Sequence, residues 1–207
     1  MICRVASGCL GLPKRTLSIS KQQADVAWMC RHYNRGVLDS WDDVDDAIAH
    51  VVRRAQVIVT PVDDGEVAEL DGSRRAAIAL AKLSGARLYL VDRVGASWTL
   101  TPHGEGPVDR DTLVRAGGEA AHMIPQLDEA IAAGVDVRAW RLSLPGIGGF
   151  DDAVDQLGAD LAVSPTDVKG RGWTARFRQR SASERAHERC PQVPMIGVDQ
   201  DGSLRLM

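Results

Sequence analysis

Apolar positions recur first at helical spacing and then in short β-branched runs. Val26, Met29, Cys30 and Tyr33 fall at i, i+3, i+4 and i+7 and predict a helix over 22–33 that Gly36 closes. Trp41, Val44, Ile48 and Val51 predict a second helix over 40–54. Ser40 is its N-cap, Asp42 and Asp43 lie in its first turn, and Arg53 and Arg54 in its last. Its stripe needs covering, by the main domain or by a separate protein partner for residues 22–55. From residue 56 the texture changes. Residues 56–62, 87–91, 135–142, 159–164 and 194–198 are short apolar runs of the kind that form buried parallel strands. Helical patterns separate them: Ser73–Leu83, a long stretch from Asp111 with Leu113, Ala116, Ala120, Ile124, Leu127 and Ile131 inward, and Phe150–Leu157. Pro125 should split the long one. Residues 95–110, with three Gly and two Pro, read as loop. Asp201-Gly202 predicts a turn that folds Ser203–Met207 back on the last strand.

Strands alternating with helices predict an α/β fold, a doubly wound five-stranded parallel sheet with a helical N-terminal extension. The expected division is a flexible segment at 1–20, a helical extension at 21–55 and the α/β domain at 56–207. Ligands of such sheets sit beyond the carboxyl ends of the strands, where strand order reverses. That directs attention to two loops, 63–73 and 164–181.

Composition narrows the classes. The chain has 207 residues, 26% of them charged, and a net charge of −3, which argues against a nucleic-acid-coating protein. No apolar run reaches the roughly 18–20 residues of a membrane span. Cys3, Cys9, Cys30 and Cys190 form no C-x-x-C pair, so neither a metal site nor a disulfide framework is expected, and Cys190 should lie in or beside the core. Val5–Cys9 resembles a lipoprotein box but lacks an apolar stretch before it, so a cytoplasmic protein is expected. The five histidines have no ligand spacing and no G-x-S-x-G elbow exists, so no catalytic residue can be nominated.

The first loop carries Asp63-Asp64-Gly65 and then Asp71-Gly72-Ser73. An acid at a strand end can accept hydrogen bonds from a base or ribose; equally, Asp71 or Ser73 can be a helix cap. The second loop holds Lys169, Gly170, Arg171, Gly172, Arg176, Arg178 and Arg180 before Ser181, whose spacing to Glu184 is that of a capping box. Glycines that admit a phosphate and cations that neutralise it suit an anion; a capped helix beside a solvated basic stretch fits too.

Residues 56–198 resemble the universal stress protein family. The resemblance rests on the first strand with its Asp, Asp71-Gly72-Ser73, Gly85-Ala86-Arg87-Leu88, Gly134-Val135-Asp136-Val137 and Gly158-Ala159-Asp160-Leu161. The tail from Ser181 through Cys190-Pro191 to Val193–Val198 matches the family's ending. It implies a Rossmann-like fold of the adenine nucleotide alpha-hydrolase type, ATP or another adenine nucleotide as ligand, and a homodimer formed through the C-terminal strand. Asp63 or Asp71 would meet the base and ribose; Gly170, Arg180 and Ser181 would meet the phosphates. The family's Gly-x-x-Gly-x9-Gly-Ser/Thr pattern becomes Asp167-x-x-Gly170-x9-Arg180-Ser181, with two glycines replaced. Two readings therefore stand: an adenine nucleotide-binding protein of stress response or signalling, or a dimeric scaffold that has lost the nucleotide.

Overall fold

The structure, a computed structural model, describes residues 38–62, 68–92, 106–116, 118–141, 150–166 and 182–207. The helix expected over 22–33 lies outside them. The chain divides at Asn34/Arg35, and every described residue belongs to the second unit, Arg35–Met207.

The N-terminal stripe folds as two pieces rather than one helix. Ser40 and Asp43 form a capping box around a 3-10 turn, Trp41–Asp43. Val44 is then extended, and Asp45 starts a separate helix α1, Asp46–Val52, by accepting the Ala47 N–H. A second capping acid one turn in breaks the helix that the periodicity alone predicts. Val44, Ile48, Ala49 and Val52 are buried in the same core as the sheet, with Trp41 and Val51 packed against it.

Among the described residues, seven strands make one sheet: β1 Val57–Val62, β2 Arg87–Asp92, β3 Gly106–Val108, β4 Val137–Arg141, β5 Leu161–Pro165, β6 Met195–Val198 and β7 Leu204–Leu206. Their spatial order is β3-β4-β2-β1-β5-β6-β7. The five expected strands run parallel, and antiparallel β3 and β7 close the two edges. The hairpin at β7 was predicted; β3 was not. Gly106-Pro107-Val108 reads as loop, yet proline is compatible with an edge strand because its missing N–H need not face a partner. Gly202, with φ of 85°, makes the β6–β7 turn in the left-handed region that glycine enters freely.

Alternation along the strands sorts two cores. Ile58, Leu88, Leu90, Leu161 and Ile196 face one side with α1, α2 (Ala68–Ser84), α3 (Arg110–Ala116) and α4 (Ile124–Ala132). Val59, Tyr89, Trp140, Ala162 and Met195 face the other with α5 (Phe150–Gln156) and α6 (Ala182–Arg189). Cys190 is buried in that second core.

The long helix splits as Pro125 demands, into α3, a 3-10 turn Gly118–Met123 and α4, with Pro125 in the first turn of α4. The break shifts the phase, so Met123 and Ala130 are buried while Ile131, expected inward, is 48% exposed. Asp109 caps α3, accepting the Thr112 N–H at 2.7 Å, so the helix starts at Arg110, one residue before the expected Asp111. Among the described residues, no helix is long and apolar enough to cross a membrane.

Candidate functional site

In a parallel sheet of this order the chain crosses from one side of β1 to the other, and the crevice opens beyond the carboxyl ends of β1 and its neighbour β5. β1 ends at Val62 and β5 at Pro165. The loops that follow carry four of the five nominated residues. Asp63, Gly170, Arg180 and Ser181 lie outside the described residues.

Asp71, the fifth, stands elsewhere than the sequence suggested. Helix α2 begins at Ala68, five residues before its expected start, so Asp71-Gly72-Ser73 is helical rather than a strand-end turn. Ser73 is buried, and its hydroxyl donates back to the Leu70 carbonyl at 3.0 Å instead of capping. Gly72 costs about 1 kcal/mol in a helix interior, less than the helix recovers by burying Leu70, Ala76, Ala77 and Leu80. The Asp71 carboxylate is 2.8 Å from the Arg74 guanidinium, which also holds Glu129 of α4 at 2.8 Å. Asp71 thus belongs to an ion-pair chain that locks α2 to α4.

Two features flank the reversal of strand order. Thr60 on β1 and Ser164 on β5 are fully buried, and neither hydroxyl has a hydrogen-bond partner. By strand alternation Thr60 faces the α2 side and Ser164 the α5 side. A buried hydroxyl left unpaired costs about 1–3 kcal/mol, so water or a polar ligand near the strand ends would be favoured there. One strand away, Asp92 closes β2 in register with Val62 and is 1% exposed. The His122 ring, from the 3-10 turn before α4, brings Nε2 to 3.3 Å of Asp92 Oδ1. A buried carboxylate requires such a partner. An acid ending an apolar strand was a visible signal for Asp92; nothing local in the sequence marks His122.

Beyond β5, Thr166 donates its hydroxyl to Asp199 Oδ1 at 2.5 Å, and its N–H to the Val198 carbonyl at 3.1 Å. This contact also escaped the sequence, because the two residues are 33 positions apart. Among the described residues, no group of three or more His, Cys, Asp and Glu is placed to hold a metal ion.

No protein-family model matches the chain, and no curated protein matches it. Among solved structures, a crystal structure of a universal stress protein in complex with cAMP aligns with a TM-score of 0.44 and 20% identity. The alignment covers 65% of this chain and 91% of that one.

Proposed function

We propose that the chain is a universal stress protein-like, cytoplasmic protein that binds an adenine nucleotide, ATP or AMP, without turning it over efficiently. The observation that carries this reading is the reversal of strand order at β1. It makes the carboxyl ends of β1 and β5 neighbours, and the two segments that resemble the family's binding loops leave the sheet from those ends. The unpaired hydroxyls of Thr60 and Ser164, on the same two strands but on opposite faces of the sheet, each favour a polar group or ordered water beside them. With the Asp71 carboxylate taken by Arg74, the reading assigns base and ribose to Asp63. It assigns the phosphates to Gly170, Arg180 and Ser181. In this reading the positive charge of Arg180 would attract phosphate and the carboxylate of Asp167 would repel it.

The exposed apolar residues Leu206 and Met207 at the β7 edge support the expected homodimer. A nucleotide-free scaffold is the second reading. It is favoured by Asp167 and Arg180 standing where the family pattern has glycine. The two part on one experiment: denature protein freshly purified from cells and chromatograph the supernatant. The nucleotide reading expects an adenine nucleotide in the supernatant. An empty supernatant, with no binding when ATP or AMP is added back at millimolar concentration, favours the scaffold.

A further inference from the structure

One carboxylate joins the C-terminal hairpin to the mouth of the crevice. Asp199 follows β6. Its Oδ1 accepts the hydroxyl of Thr166, the residue at which the chain leaves β5. Its Oδ2 accepts the Ser203 hydroxyl at 3.2 Å and an Arg205 N–H at 3.1 Å, both from the hairpin. The backbone closes the same turn, with the Asp199 N–H on the Ser203 carbonyl at 3.0 Å and the Gly202 N–H on the Asp199 carbonyl at 2.9 Å.

A second contact pins Thr166 independently. Gly197 pairs with Ser164 in the β5–β6 ladder, and a Cβ added there would lie 2.5 Å from the Thr166 methyl and 3.1 Å from the Met207 sulfur. The bare glycine lets Thr166 and Met207 settle side by side over β6. Met207 is itself fixed to the sheet by its N–H on the Met195 carbonyl at 2.9 Å. Thr166 is therefore held through its methyl and its hydroxyl, and the hairpin takes part in both contacts.

We propose that the C-terminal hairpin is a built-in modulator of the crevice: Asp199 positions the carboxyl end of β5 through Thr166, and the state of β7 decides how firmly. Whatever covers, removes or displaces residues 203–207 then alters the strand end from which residues 167–181 depart. By linkage, a ligand in the crevice alters the hairpin to the same extent. Asp199 is a positioning residue in this scheme and touches no ligand. The effect on nucleotide affinity rests on the function proposed above; the hold on the strand end does not.

The test uses the full chain and two readouts. Hydrogen exchange is followed on peptides spanning 161–166 and, as a control, 87–92, in wild type, Asp199→Asn, Thr166→Val and Thr166→Ser. Titration of ATP and AMP runs in parallel. Asp199→Asn and Thr166→Val, which keeps the shape but loses the hydroxyl, should speed exchange over 161–166 and leave 87–92 unchanged. Thr166→Ser, which restores the hydroxyl, should return exchange toward wild type. Nucleotide affinity should fall about five- to tenfold in the first two variants and recover in part in the third, which regains the hydroxyl contact but lacks the methyl. If Asp199→Asn does not fold, the two Thr166 variants decide. Unchanged exchange over 161–166 overturns the proposal, as does altered exchange with unaltered affinity in a wild type that binds. If the wild type binds neither nucleotide, the nucleotide reading falls, and exchange alone confirms or overturns the hairpin's hold.

Discussion

Ile48→Ala tests whether the short helix ahead of the sheet is part of the domain or only lies upon it. Helix α1 has seven residues, too few to be stable in water alone, so packing must hold it. Ile48 is 3% exposed, in one cluster with Val52, Leu80 and Leu88. Removing three carbons from such a position costs the transfer energy of the buried surface plus the cavity left behind, about 2–5 kcal/mol. At about 2–4 °C per kcal/mol for a domain of this size, a central value of about 3 kcal/mol lowers the melting temperature by about 6–12 °C. Ile131→Ala is the matched control: the same chemistry on α4, at a side chain that is 48% exposed, should change stability by less than about 0.5 kcal/mol. Urea and thermal denaturation followed by circular dichroism give both numbers. A cost below about 1 kcal/mol at Ile48, or equal costs at the two sites, would refute the packing argument.

Three further outcomes follow from single contacts. Asp160 Oδ2 accepts the N–H groups of Gln56 and Val57, both at 3.0 Å, tying the start of β5 to the start of β1. Asp160→Ala should therefore cost about 1–2 kcal/mol in urea denaturation, and Asp160→Asn less. The hydroxyl and N–H of Thr112 hold the Asp109 carboxyl below its ordinary value of 3.8. Its stabilisation is present above that pH and lost as pH falls through the lower folded value. Asp109→Ala should cost about 1 kcal/mol at pH 7, and the gap to wild type should close in acid-denaturation series below pH 3.8. Burial, then the charge of Asp155, raises the Cys190 thiol above its ordinary 9.0. In a variant with Cys3, Cys9 and Cys30 changed to serine, Cys190 should react with a thiol reagent only after denaturation. Its contribution to stability, full below pH 9.0, should decline as pH climbs above it.

The parallel core was readable because its strands announce themselves. Runs such as Val57-Ile58-Val59 bury both faces, and no other short element needs that pattern. Failures came where two local signals conflict. Asp71-Gly72-Ser73 has the composition of a turn, but Leu70 and Ala76 on either side are core residues, and tertiary burial carried the helix through. Asp45 restarted a helix that periodicity read as continuous, and the 3-10 turn before Pro125 rotated α4 enough to turn Ile131 outward. At the candidate site, the strand ends follow from the pattern, whereas Asp92–His122 and Thr166–Asp199 do not. Each joins residues 30 or more positions apart, and no local periodicity encodes which loop returns to which strand.

Nucleotide in the crevice at β1 and β5 is the central claim, and calorimetric titration of ATP and AMP into the wild type and Ser181→Ala tests it most directly. Saturable heat at one site per chain is expected. Ser181→Ala, losing the hydroxyl that the proposal assigns to the phosphates, should bind more weakly by about 1–2 kcal/mol, a factor of about 5 to 30. Absence of heat, together with an unmoved melting temperature at millimolar ATP and AMP, would contradict the account.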